Sequence, residues 1–481
     1  MLFLSILMPV LGAAVLWLWK PQCARARHIF TIAVTLLTSI LTAWCIFTPG
    51  SQQFTLLQLT PRLTISFKLD GLGRIFSGMV ALLWPLATLY AFEYMEHEGG
   101  ENTFFGFYML SYGVTLGIAF AEDLMTLYVF YELLTLATLF LVMHGMKPHG
   151  VHAGRKYVYY MLGGAAMGFM ALTTIIHFSG TSNFVRGGIP AIAMAPDTLI
   201  LVMFVMGFLG FGAKAAVFPL HSWLPTAGVA PTPVTALLHA VAVVKAGVFA
   251  VIRMAYYCFG ADEVRGSWAQ AVCLILAMVS ILYGSAMSVR ETHMKRRLAY
   301  STMSNLSYVL LGAMLLTPEG LTGGLLHMVY HALMKITLFS CVGAVMVRTG
   351  RKYVDDLRGM GKKMPFIMGV YLFAALALTG IPPLVGFQSK WALAEAALGF
   401  GGWLGIAAVA VLLISAVLTA IYMLVPAVAA YAMPLEGDAG KGDPGWRMKL
   451  PLAVTCVVMF ILIFASKPLV AYIAKVAAGL L

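Results

Sequence analysis

An all-α integral membrane protein of about fourteen transmembrane helices, built around two inverted five-helix repeats that each contain a broken helix, is the fold class this sequence predicts. Three observations lead there. Apolar residues fill 61% of the 481 positions and charged residues only 10%, against about 25% charged in a soluble domain. Apolar runs of span length recur along the whole chain. Two of those runs combine prolines with a lysine, at Lys214 and at Lys390. The formal net charge of +12 does not point to nucleic acid, because the bases sit in short loops between apolar runs. That placement reads as membrane topology and contact with anionic lipid.

A span needs roughly 20 apolar residues. Spans are placed at 2–19, 29–48, 71–95, 103–121, 123–145, 157–178, 197–217, 232–257, 266–287, 299–317, 321–347, 365–398, 403–431 and 451–475. The first reads as a retained helix, since no convincing small-residue cleavage site follows it. Segment 52–69 alternates polar and apolar residues and is rich in threonine, which predicts a small hairpin outside the membrane. Segment 182–196, with Gly, Pro and one Arg, reads as a surface loop. Four regions result: 1–100 with three helices and the hairpin, 101–260 and 261–431 as the two repeats, and 432–481 as a loop and a last helix.

Sorting the bases gives an orientation. Loops after odd-numbered spans hold nineteen of the 31 lysines and arginines, including the cluster Lys295, Arg296 and Arg297. Loops after even-numbered spans hold six: Arg62, Lys68, Arg74, Arg186, Arg253 and Arg265. Positive loops stay inside. The odd-span loops are therefore expected on the cytoplasmic side of the cell inner membrane, with both termini on the outer side.

Five charged residues lie in the middle of predicted spans: Glu132, Lys214, Lys245, Lys335 and Lys390. A charge at the bilayer centre costs about 2.5–3.5 kcal/mol on insertion scales. One such lysine could snorkel to the surface; five on five spans read as a chain of titratable sites. Burial favours the neutral form of an amine, and a nearby carboxylate favours the charged one. Moving Glu132 toward or away from a lysine would load or discharge it. His327, His331 and Lys335 follow one another at intervals of four, which places them on one helical stripe with steps of about 6 Å. Imidazole can pass a proton through either nitrogen, so the stripe reads as a proton wire. A metal site finds no third ligand there. His239 and Lys245, six apart, are offset by roughly 120° on a continuous helix and could act in succession only across a water.

The prolines define the breaks. Pro219 and Pro225 follow Lys214, and Pro382, Pro383 and Gly386 precede Lys390. Interrupted helices survive in a membrane only inside protein or along a wet cavity, and paired ones point to an ion site. Five spans separate the two breaks. An odd offset flips orientation, so spans 4–8 and 9–13 form inverted repeats. The repeats differ in charge: Glu132 is matched by Ser301, Ser304 and Asn305, and Lys245 has no basic counterpart. Glu395, five residues after Lys390, is a local partner candidate.

The run KAAVFPLHSWLPTAGVAPTPVTALLHA, with KRRLAYSTMSNLSYVLLG, HALMKITLF and GIPPLVGFQSKW, resembles the proton-pumping antiporter-like subunits. These are the large membrane subunits of respiratory complex I, the Mrp sodium/proton antiporters and the energy-converting membrane hydrogenases. The resemblance covers about residues 70–430. It implies that Glu132 and Lys214 form the interacting pair of a first half-channel. It likewise implies that His239 and Lys245 connect, and that His327, His331, Lys335 and then Lys390 carry a second. Some members have glutamate at the place of Lys390. The chain ends soon after span 14 and so looks most like the medium-sized Mrp D-type and hydrogenase-type members.

The expected role is that of a proton-translocating subunit within a multi-subunit complex coupled to a redox module. The alternative is a subunit of an Mrp-type antiporter without a redox partner, and a non-conducting structural subunit is disfavoured by the buried charges. Expected partners are other membrane subunits, a peripheral redox arm in the redox-driven reading, and the lipid bilayer. No catalytic residue, cofactor or metal is expected in the chain: no dinucleotide loop is present, and Cys23, Cys45, Cys258, Cys273, Cys341 and Cys456 lack CxxC or other ligand spacing.

Overall fold

The computed structural model describes residues 1–50, 52–60, 63–435 and 440–481. Arg62, counted above among the outer bases, lies outside the described residues. The chain starts with α1 (Leu2–Trp19) and α2 (Ala24–Phe47), followed by a hairpin of β1 (Gln53–Thr60) and β2 (Leu63–Lys68). Then come α3 (Gly71–Met95), α4 (Glu101–Ala119), α5 (Leu124–Val142) and α6 (Pro148–Ser179). Next are α7 (Asp197–Gly212), α8 (Trp223–Ala227), α9 (Thr232–Ala240) and α10 (Val243–Arg253), which runs into a π-helical turn over Met254–Phe259. The second half holds α11 (Ala261–Val264), α12 (Trp268–Arg290), α13 (Met294–Met314), α14 (Pro318–Thr349) and α15 (Met360–Lys363). It closes with α16 (Pro365–Thr379), α17 (Val385–Phe400), α18 (Gly402–Ala432), α19 (Trp446–Phe464) and α20 (Lys467–Ala478).

Ten helices among the described residues are long and apolar enough to cross a membrane. The segments α7 and α16 are apolar but shorter, because each stops at a break. One predicted span needs correction. Segment 451–475 is not a single helix: α19 ends at Phe464, and Pro468 opens the separate α20 near its first position, where proline is favoured. The loop predicted at 182–196 is not free. Val185 N donates to Tyr257 O at 3.1 Å and Ile189 N to Cys258 O at 2.9 Å, which ties it to the end of the π turn.

Burial sorts the helices into two classes. The span Thr232–Phe259 is wholly enclosed and α14 nearly so; α14 touches α3, α9, α13, α16, α17, α19 and α20. Around them α1, α2, α18 and α19 present apolar outer faces through Trp44, Ile406, Leu413, Val425 and Phe460, as lipid- or subunit-facing helices do. The innermost helices carry Lys245 and Lys335, with His239, His327 and His331.

Three runs are interrupted, and other parts of the bundle meet the freed backbone groups. After α7, residues 213–222 form turns. There Tyr131 Oη donates to Phe211 O, the Trp223 indole to Ala213 O, and Phe218 N to Ser280 Oγ, each at 2.9 Å. Between α16 and α17 lie Gly380–Leu384, with Pro382 and Pro383. The third break separates α9 from α10, where Ala242 N donates back to Leu237 O at 3.0 Å in a widened turn. No proline or glycine marks it. Two glycines are steric requirements. A Cβ on Gly386 would run into the Ala377 carbonyl oxygen, and one on Gly247 would lie 2.5 Å from Ala215 N and 2.9 Å from Lys214 C. The backbone of α10 thus rests on the α7 break.

Helix starts are capped by side chains at Asp70, Asp123, Ser267 and Thr317. Asp123 also accepts from Ser66 Oγ at 3.0 Å and Ser182 Oγ at 3.3 Å, which fixes the hairpin and the 182–196 loop to α5. Asp70 does more than cap. Arg253 Nη1 and Nη2 donate to its two oxygens at 2.5 and 2.7 Å, and Tyr257 Oη donates at 2.7 Å. Burial pushes the Asp70 carboxyl up, but the Arg253 charge and these hydrogen bonds outweigh it and hold it at about 2. Two predictions follow from this packing. Removing one partner of a buried pair costs about 3–5 kcal/mol. Arg253→Ala should lower detergent-solubilised stability by that amount in denaturant titrations. Because the Asp70 value is depressed, its contribution is complete above the ordinary carboxylate value near about 4 and fades as pH falls toward 2; the variant should lose that acid-side slope. Gly247→Ala should cost about 1–3 kcal/mol by overpacking, read in the same titration.

Candidate functional site

Six of the eight titratable residues singled out in the sequence are fully enclosed by the bundle, Glu132 and Lys390 being the exceptions. Lys214, His239, Lys245, His327, His331 and Lys335 each have 0% exposure. A bare charge there would be very costly, so the partners decide what the row can do.

The first cluster joins α5 to the α7 break. Lys214 Nζ lies 3.9 Å from Glu132 Oε1. It donates to the Tyr131 carbonyl oxygen and sits 3.3 Å from the centre of the Tyr131 ring. The break puts Lys214 beyond the last turn of α7, and a neighbouring helix supplies its acceptor. Glu132 keeps 24% of its side chain exposed at the bundle surface, so one end of the cluster reaches the outside of this chain. His221, within the same break and unflagged by spacing, stacks on Phe218 and packs edge-on to Tyr283, with Nδ1 unpartnered.

The second cluster joins α10 to α14. Lys245 Nζ and His331 Nδ1 are 2.6 Å apart. A lysine and a histidine at that distance share one hydrogen, so one of the two nitrogens must offer a lone pair. His331 Nε2 has no partner, and the His331 and His327 rings are 5.9 Å apart, in keeping with the predicted stripe. His327 contacts Ser389 Oγ at 2.9 Å through Nδ1 and Asn305 Oδ1 at 3.2 Å through Nε2. Ser389 precedes Lys390, whose Nζ donates to Leu378 O at 2.8 Å and Thr379 O at 3.0 Å. Those are the last carbonyls of α16, where the helix dipole is negative and a cation is favoured. Tyr308 stacks on His327 and lies 5.5 Å from Lys390 Nζ.

Lys335 leaves this line. Its Nζ donates to Ser301 Oγ at 2.7 Å and Leu298 O at 3.1 Å, both on α13. Ser301 continues to Tyr422 Oη at 2.8 Å, and Tyr422 to Thr419 at 3.1 Å. Where the first half offers a carboxylate to Lys214, the second half offers hydroxyls and a carbonyl to Lys335.

Some expectations are not met by contacts. Lys390 is bound to carbonyls and makes no ion pair with Glu395, which instead lines a separate surface cavity with Glu319 and Thr322. His239 stacks on Phe339 with both ring nitrogens unpartnered and makes no hydrogen bond to Lys245. The offset drawn for a continuous helix does not apply, because the α9–α10 break falls between the two. Ser301 and Asn305, which the repeat sets against Glu132, thus contact Lys335 and His327. Tyr308, Ser389 and Tyr422 carry no sequence signal beyond polarity inside apolar runs, which is too common to select them.

Known proteins resemble this chain in sequence and fold. A family model described as NADH:quinone oxidoreductase/Mrp antiporter, TM, matches residues 121–419, and a complex I chain 5 N-terminus model matches 59–105. NADH-quinone oxidoreductase subunit N of Desulforudis audaxviator is 32% identical over 81% of this chain and 79% of its own length. Hydrogenase-4 component B of Escherichia coli is 31% identical over 68% of this chain, which spans only half of that protein. A subunit in the structure of the Mrp complex from Dietzia sp. superposes with a TM-score of 0.85 at 24% identity, covering 100% of this chain and 97% of that one. The chain belongs to the NADH:quinone oxidoreductase/Mrp antiporter transmembrane family, as an antiporter-like membrane subunit.

Proposed function

We propose that this chain carries protons across the membrane along the buried row Glu132, Lys214, Lys245, His331, His327 and Lys390, within a multi-subunit complex driven by a redox module. The Lys245–His331 contact at 2.6 Å carries the reading. It joins two helices from opposite halves of the chain by groups that can exchange a proton, at a depth where neither needs to be ionisable for stability. Lys335 and its hydroxyl branch, and the unpartnered His239, form a side arm facing the same centre. The acceptors around the row are mainly nitrogens, hydroxyls and single carbonyls. A sodium site needs several convergent oxygens, as hard cations do, so the donor set favours protons.

In this reading fourteen spans cross the membrane, with α7 to α8 and α16 to α17 each counted as parts of one broken span. Spans 4–8 and 9–13 form inverted repeats over 101–260 and 261–431, preceded by 1–100 and followed by 432–481. Both termini lie on the outer side of the cell membrane. The exposed apolar residues of β1, Phe54, Leu56, Leu57 and Leu59, and the outer faces of α1 and α18 are suited to contact neighbouring membrane subunits. The alternative, an Mrp-type antiporter subunit without a redox partner, is supported by the equally close fold of the Dietzia Mrp subunit.

The proton reading is tested in sealed vesicles holding the purified assembly. Lys214→Ala should cut proton translocation and the activity coupled to it by about a hundredfold or more, the low end of the effect of losing a positioned proton-transfer group; wild-type rates in the variant would remove the central lysine from the mechanism. Lys245→Gln should have a similar effect, while His331→Gln, which keeps a polar group of similar reach, should lose less stability than rate. A flux that requires a sodium gradient and survives a proton uncoupler would overturn the choice of ion. Copurification of a redox arm, or of small membrane subunits alone, separates the two complexes.

A further inference from the structure

A groove of about 590 Å³ opens on the bundle surface between α2, α3, α14, α19 and α20, within the roughly 300–1,000 Å³ range of small-molecule sites. Its walls include Ile75, Met79 and Leu83 of α3, Leu333 of α14 and Leu462 of α19. The only charged or hydrogen-bonding side chains lining it are Arg74 and Tyr472. Arg74 is in the first turn of α3 beside the hairpin, where the helix enters the bundle. From Arg74 the lining continues along α3 to Leu83, a length of about 14 Å at 1.5 Å per residue. One end is cationic, therefore, and the rest is purely apolar.

The Arg74 guanidinium is not neutralised by an acid among the described residues. Its Nε is buried without a hydrogen-bond partner. The nearest acid in sequence, Asp70, already receives Arg253, Tyr257 and the Gly73 N–H. Among the described residues no carboxylate pairs with Arg74; its polar neighbour is the Tyr472 hydroxyl, to which it hydrogen-bonds. Guanidinium groups match phosphate oxygens in a fork geometry.

We propose that the groove holds an acyl chain of an anionic glycerophospholipid, with the lipid phosphate on the Arg74 guanidinium beside Tyr472. The chain lies against Val329 and Leu333 of α14. Val329 is two residues from both His327 and His331, roughly 200° around the helix, so the lipid backs the face of α14 opposite the histidines.

The intact assembly, reconstituted in phosphatidylcholine vesicles, is labelled with phosphatidylglycerol or phosphatidylcholine carrying the same photoactivatable acyl chain. The expected result is label on groove residues of α3, α14 and α19, with phosphatidylglycerol favoured by about fivefold, the factor one basic side chain contributes near anionic lipid. Arg74→Gln should bring the two lipids to parity. Gly78→Phe should remove label from both, since a side chain there has room, with only Ile46 Cδ1 at 3.6 Å. Equal labelling of the wild type by the two lipids, an undiminished preference in Arg74→Gln, or absence of label from the groove overturns the proposal. So does cross-linking of the groove to a neighbouring subunit's helix instead. If a variant fails to assemble, the comparison of the two lipids on the wild type decides.

Discussion

Hydrocarbon offers no hydrogen bonds, so every polar group inside the bundle has to be answered by another part of the protein. Much of the interior follows from that requirement. When α7 stops at Gly212, its carbonyls are taken by Tyr131 and Trp223, and Tyr131 offers its own carbonyl to Lys214. When α16 stops at Thr379, Lys390 takes the last two carbonyls. At the second break, interrupting the helix and burying the lysine are thus one device, because Lys390 uses acceptors that a continuous helix would not have left; at the first, α5 supplies the acceptor for Lys214.

The same requirement explains why the row runs along the most enclosed helices. A lipid-facing lysine would have to snorkel or stay unpaired. On Thr232–Phe259 and α14 it finds neighbours on all sides. The neighbours differ between the halves. Lys214 faces a carboxylate that reaches the bundle surface, whereas Lys335 faces Ser301 and, through it, Tyr422. A carboxylate partner can stabilise a charged lysine; hydroxyls accept and donate with little preference for charge. The two halves therefore hold their lysines on different terms.

The backbone contact at Gly247 makes these clusters one unit. Because α10 rests on the α7 break, the backbone that carries Lys214 is in direct contact with the helix that carries Lys245. Close packing of this kind moves between discrete arrangements rather than deforming gradually. The opposite face of α14, against the apolar groove, is the side on which lipid can steady it.

Composition and pattern determined much of this protein: the membrane class, nearly all helix positions, the hairpin, both proline-marked breaks and the burial of Lys214, Lys245, Lys335, His239, His327 and His331, though not that of His28, His221 and Lys295. Each is a local property, set by hydropathy over some twenty residues, by proline geometry or by the cost of a charge in lipid. The tertiary structure decided the partners. That Lys245 meets His331, that Lys335 turns aside to Ser301, and that Lys390 binds carbonyls rather than Glu395 depends on helix rotation and depth, which packing sets across dozens of residues. The α9–α10 break was equally invisible, since Val241 and Ala242 are ordinary helix-compatible residues and the widened turn arises from fitting α10 against its neighbours. The unpaired Arg74 at the head of an apolar groove emerged only once five helices from both ends of the chain had closed around it.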